Sequence, residues 1–257
     1  MAGILTLFSG SSGNCALVKN GSECALIDAG ASATAIIKAV SAQGFEPAAI
    51  RSVFITHEHC DHIKGLFVLC KKLPGLSICT SGGTAYAICE KNPELRDRIR
   101  IMSDGSSQEA AGLTFTAFRT SHDAAESMGF IIGDGKCKIF GYATDTGTVT
   151  ETVKTALLGC RAVVVESNHD VAMLMTGGYP YVLKRRIHSS GGHLSNEDCA
   201  GLITELAAAG TKKFLLAHLS AENNLPALAL ETARLAVGTA AYVAVAPRFS
   251  PSEEFND

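Results

Sequence analysis

Six consecutive residues, His57-Glu58-His59-Cys60-Asp61-His62, put three imidazoles and a carboxylate on one short stretch of chain. They follow Ser52-Val53-Phe54-Ile55-Thr56, a β-branched and aromatic run that reads as a buried strand. Gly65 and the apolar Leu66-Phe67-Val68-Leu69 come next, so the six residues form a strand-to-helix turn. Four metal-competent side chains on one turn cannot all face one ion. His57 and His59 alternate on extended backbone and share a side, with Asp61 and His62 turned elsewhere. The spacing suits two metals, each completed from distant parts of the chain. The bland alternative is a solvated polar loop, and the density of histidines weighs against it.

Composition sets the frame for such a site. A chain of 257 residues, 47% hydrophobic and 18% charged, has material for a large core and not for disorder. Its net charge of −3 gives no global attraction for nucleic acid, so such a partner needs a local patch or metals. Nine cysteines without a CxxC pair argue against a disulfide framework and a zinc knuckle, and fit buried free thiols in a reducing cytoplasm. Cys60, within the turn, is read as one of these buried bystanders; the alternative is a soft ligand beside the metals, which would make the site prefer softer ions. The first apolar stretch lacks a preceding basic residue, and the Ser/Gly run at 9–13 interrupts it, which is not the pattern of a signal peptide. No apolar span approaches the roughly 20 residues of a membrane helix. The expectation is a soluble, cytoplasmic protein without a membrane partner.

Strands are expected at 4–8, 15–19 and 24–28, with an Asn20-Gly21 turn between the last two. Ser32 caps a helix through Ala42, closed at Gly44. After the turn and its helix come a strand at 77–80, a helix at 84–91, and strands at 99–103, 113–120, 128–133 and 138–142. The second half alternates: helix 150–158, strand 162–166, a Ser195-capped helix to Ala208, strand 213–218, helix 226–237 and strand 241–246. Strand-rich halves flanked by helices imply an α/β fold, a four-layer αββα sandwich, with 1–257 as a single domain.

Further ligands should stand where apolar strands stop. His122 follows Thr120-Ser121, Asp145 sits in Ala143-Thr144-Asp145-Thr146-Gly147, and His218 closes Phe214-Leu215-Leu216-Ala217. Strand–HxHxDH–helix, then a His, an Asp and a His at strand ends, resembles the metallo-β-lactamase-fold hydrolases over essentially the whole chain. The resemblance implies an αββα fold and two divalent ions. One would be held by His57, His59 and His122, the other by Asp61, His62 and His218. Asp145 would bridge them, together with a water or hydroxide that serves as nucleophile. Asp28 would orient the turn without binding metal. Zinc and manganese suit these donors, and iron equally so.

Several loops bear on substrate. Phe8-Ser9-Gly10-Ser11-Ser12-Gly13-Asn14-Cys15 is either a phosphate cradle, with Ser11, Ser12 and Asn14 at the substrate, or a flexible turn. Lys184-Arg185-Arg186 is the only basic triplet and stands beside Tyr179 and Tyr181, a candidate single-strand surface within a small basic segment around 171–196. Asn168 and Ser195 are further substrate candidates. His193, outside the ligand count, either protonates a leaving oxygen or contacts phosphate; with Asp61 it completes the candidate catalytic pair. FSGSSGNC, ATDTG, ESNHD and GGHLSN together resemble the bacterial YycJ/WalJ (VicX) group, associated with 5′-to-3′ exonuclease activity on DNA. The expected function is therefore a metal-dependent phosphodiester hydrolase, a DNA exonuclease. The competing readings are a small-molecule hydrolase of a cyclic phosphate ester or thioester, and a non-catalytic metal-bound module that binds a partner. Oligomeric state is not written in the sequence.

Overall fold

A computed structural model describes all 257 residues, Met1–Asp257. The strands are β1 (Ala2–Phe8), β2 (Cys15–Asn20), β3 (Glu23–Ile27), β4 (Ile50–Phe54), β5 (Ser77–Thr80), β6 (Ile99–Ile101) and β7 (Ser107–Ala110). They continue as β8 (Leu113–Arg119), β9 (Met128–Gly133), β10 (Lys138–Ala143), β11 (Ala162–Glu166), β12 (Lys213–Ala217), β13 (Tyr242–Val245) and β14 (Phe255–Asn256). The helices are α1 (Ala33–Ala42), α2 (Cys60–Ile63), α3 (Leu66–Lys72), α4 (Gly82–Lys91) and α5 (Glu151–Leu157). Then come α6 (Val171–Thr176), α7 (Tyr181–Ile187), α8 (Asn196–Ala208) and α9 (Pro226–Val237). The strands belong to two mixed seven-stranded sheets.

Two compact units emerge from the contacts. The first comprises Met1–Ala117, Ala124–Met128 and Pro247–Asp257. Its sheet runs β14-β1-β2-β3-β4-β5-β6, antiparallel from β14 to β3 and parallel from β3 to β6. The Ser32 hydroxyl accepts the Ala35 N–H and starts α1, which buries Ala33, Ile36 and Val40 at helical spacing. That face joins Leu5, Leu17, Leu26, Val53 and Leu69 in one core. Phe54 and Phe115 stack at 3.9 Å with rings 8° apart.

The second unit comprises Phe118–Asp123 and Gly129–Ala246. Its strands run β13-β12-β11-β10-β9, parallel from β10 to β13. All five residues of β11 are buried, as a central parallel strand covered on both faces requires. Ser195 caps α8 as expected, its hydroxyl accepting the Asp198 N–H. Val163, Val165, Phe214 and Leu216 pack with Ile203, Leu206 and Ala233. The sequence pattern missed β7, β14, α6 and α7. β7 is a short, largely polar edge strand in a tight hairpin with β8. β14 is two residues long and defined by its distant partner β1, and the helices are too short to show a period.

Candidate metal centre

In the first unit the ligand turn is folded more tightly than extended spacing implies. His59 is the extended residue before α2 (φ −64°, ψ 149°), and the helix begins at Cys60. One helical turn therefore returns His62 towards His57, with ring centroids 4.1 Å apart; His59 meets His57 edge-on at 4.5 Å. His62 is thus not turned away from His57. His57 and His62 are buried, His59 and Asp61 half-buried. Cys60 is exposed, contrary to the expected buried thiol, because the first residue of α2 faces outward. Six of the other cysteines are buried, and all nine are unpaired with one another.

Asp28, just past β3, is fully buried. Its carboxylate accepts the Thr56 N–H at 2.8 Å, the Thr56 hydroxyl at 3.0 Å and the His62 Nδ1–H at 2.7 Å. Burial pushes its pKa up, against the opposing pull of His62 and Thr56. With its proton given to Asp28, the Thr56 oxygen accepts from His57 Nδ1 at 3.0 Å. Both histidines therefore carry the proton on Nδ1 and a lone pair on Nε2. Asn14 is placed by the same network. Its amide lies 3.1 Å from His62 Nε2 and 3.3 Å from the Asp61 carbonyl, while its oxygen accepts the Gly10 N–H at 2.8 Å. The Ser/Gly loop is in this way fastened to the ligand turn, with Ser11 and Ser12 exposed. Gly30 permits the approach, since a Cβ there would overlap the Asp61 carbonyl.

In the second unit, His122, Asp145, His193 and His218 come together around a residue to which the sequence reading gave no role. Glu166, the last residue of β11, has no solvent exposure. Its Oε1 accepts from His193 Nδ1 at 2.7 Å and His218 Nδ1 at 3.0 Å, and its Oε2 from the Thr146 N–H at 2.9 Å. Burial pushes the Glu166 carboxyl up, but the His193 charge and the hydrogen bonds of both histidines outweigh it and hold it below its ordinary value. His193, which burial alone would lower, is raised by the same contact. One ligand atom from each of Asp145, Glu166, His193 and His218 lies within 4.8 Å of the others. His122 gives Nδ1–H to the Gly192 carbonyl at 2.8 Å, and burial lowers its pKa. A carbonyl can only accept, so His122 too presents a lone pair on Nε2.

Asp28, Asp145 and His218 share a left-handed backbone, with φ of 61°, 58° and 56°. Non-glycine residues rarely adopt it, and each stands one or two residues beyond an apolar strand. The donor chemistry fits divalent metal. Histidines whose Nδ1–H is fixed by a carboxylate, hydroxyl or carbonyl, with carboxylates nearby and no thiolate among them, are the set that zinc, manganese and iron take.

Not every expected substrate residue faces outward. Asn168 is buried and donates to the His218 carbonyl at 2.8 Å. Ser195 is buried and exchanges hydrogen bonds with Asp198. Asn168 braces His218 and Ser195 caps α8, and neither lines an open surface. The basic triplet on α7 is split. Lys184 caps the Met175 carbonyl at 2.7 Å, and Arg186 clasps Asp123 with its Nε and Nη2. Arg185 is exposed, 6.0 Å over the ring of exposed Tyr181.

The sequence profile of the β-lactamase superfamily domain matches residues 25–219. The chain belongs to the metallo-β-lactamase superfamily. It is 37% identical to exodeoxyribonuclease YycJ of Bacillus anthracis over 225 residues, 87% of this chain and 84% of that protein. It is 34% identical to exodeoxyribonuclease WalJ of Streptococcus pneumoniae, over 87% of this chain and 83% of that one. The metallo-β-lactamase-fold protein YhfI of Bacillus subtilis superimposes with a TM-score of 0.74 at 17% identity, covering 98% of this chain and 100% of that one. The fold is thus the α/β sandwich of this superfamily, as expected from the sequence, and the chain is a metal-dependent hydrolase of it.

Proposed function

We propose that this superfamily member is a DNA exonuclease that degrades strands from 5′ to 3′, using two divalent ions, zinc or manganese. The observation that carries the reading is the His193–Glu166 hydrogen bond beside Asp145 and His218, in a chain 37% identical to an exodeoxyribonuclease. The ligands proposed are His57, His59, Asp61 and His62 of the first unit and His122, Asp145 and His218 of the second. When bound, the ions supply Lewis acidity towards a phosphoryl oxygen and a water acidic enough to attack near neutral pH.

The rest is done by the chain itself. Asp28 and Thr56 lock the His57 and His62 rings in one tautomer. Glu166 fixes His193 through Nδ1, which turns its Nε2 outward to protonate the departing 3′-oxygen. The loop bearing Ser11 and Ser12 offers hydroxyls to a phosphate, and Arg185 with Tyr181 offers a cation and a ring to a single strand. Lys184 and Arg186 support α7 in this scheme.

The test is hydrolysis of 5′-phosphorylated, end-labelled single and double strands by protein stripped of metal and reloaded with manganese or zinc. Metal-dependent release of mononucleotides from the 5′ end, lost in Asp61→Ala, is expected. Turnover of a small cyclic phosphate ester without any DNA cleavage would replace this reading with a small-molecule hydrolase.

A further inference from the structure

Phe249 is 72% exposed, in the segment that leads from Pro247 to β14. It is not on a loose tail. Ser252 accepts the Thr6 N–H through its hydroxyl at 3.0 Å and donates its own N–H to the Thr6 carbonyl at 2.9 Å. This clamps the segment to β1. The Arg248 carbonyl accepts the Ser9 N–H at 3.3 Å, so Arg248 and Phe249 adjoin the start of the Ser/Gly loop. The Arg248 guanidinium lies 5.9 Å from the Phe249 ring centroid. Asn14, at the far end of that loop, contacts Asp61 and His62. A wet phenyl ring with an arginine against it is thus joined, through the Ser9–Arg248 hydrogen bond, to a loop that carries two exposed hydroxyls and is tethered to the ligand turn by Asn14. An apolar partner would find no use for the arginine and serines. A ligand with a flat aromatic face and an attached anion uses all of them.

We propose that Phe249 and Arg248 form a nucleotide platform, on which a base of the DNA strand stacks while its phosphate meets the Ser11–Ser12 loop. The platform rests on the nuclease reading above, and adds a binding site in the first unit separate from the Tyr181–Arg185 surface of the second.

The chain contains no tryptophan, so Phe249→Trp installs a single indole fluorophore at the contact. Manganese-loaded protein is titrated with a 5′-phosphorylated oligothymidine carrying phosphorothioate linkages to slow cleavage, with fluorescence anisotropy of the labelled strand read in parallel. Stacking predicts saturable quenching of the introduced indole, with the same midpoint as the anisotropy curve. Phe249→Ala is expected to weaken binding about tenfold, the loss of one stacked base. Strand binding without quenching, together with parental affinity in Phe249→Ala, would overturn the platform and leave the nuclease reading standing if the parent cleaves DNA. A parent protein that neither binds nor cleaves the strand would remove both.

Discussion

A carboxylate sealed at the end of a five-residue apolar strand must be paired or protonated, and Glu166 is paired with two histidines and a main-chain amide. That accounting was available in Ala162-Val163-Val164-Val165-Glu166, where a lone acid closes a run with no surface face. What the sequence could not say was which donors would meet it, because His193 and His218 are brought in by other elements. Glu166→Gln keeps the shape but replaces one acceptor oxygen with an amide facing N–H donors. We expect kcat to fall 10–100-fold with KM little changed and metal content retained, the scale typical of residues that orient others in metal sites. Steady-state kinetics beside elemental analysis checks this. An unchanged kcat would free His193 from dependence on Glu166.

At the scale of elements, the ligand turn is built by close main-chain approach as much as by side chains. Asn14 N–H donates to the Asp61 carbonyl at 2.7 Å and Ala29 N–H to the His62 carbonyl at 2.8 Å, which lays the β1–β2 and β3–α1 connections against α2. Gly30→Ala puts a methyl into the Asp61 carbonyl, which cannot swing aside as a side chain would. The expected cost is about 3 kcal/mol in urea unfolding, the upper end for overpacking, with reduced metal retention after desalting. A variant as stable as the parent would show that the turn can slide. The HxHxDH spacing and the polar residues at strand ends were legible because they follow local periodicity. The compactness of the turn was not, since it depends on where α2 starts. The fate of Asn168 and Ser195 was hidden for a related reason. A polar residue in a loop reads as accessible until the carbonyls and caps it serves are placed by the fold.

For the whole molecule, the sequence foresaw an α/β fold through its alternating second half, and the divalent-metal chemistry through residue type alone. No helix is long and apolar enough to cross a membrane. On the ligand set proposed above, the burial of His57, His62, Asp145 and His218 would tie metal to stability, because ions held by buried donors bind the folded chain and scarcely the unfolded one. Chelation is expected to lower Tm by on the order of 10 °C, and readdition of manganese or zinc to restore it. Differential scanning calorimetry decides it, and an unmoved Tm would mean that the ions contribute nothing to holding the fold. The left-handed residues Asp28, Asp145 and His218 carry a consequence for anyone redesigning this enzyme. An optimiser rewarded only for backbone comfort would write glycine or asparagine at all three, and each change would look like an improvement. With the roles proposed above for these residues, the result would be a better-behaved protein with its chemistry erased, so these three positions are the first to hold fixed in any thermostabilisation campaign.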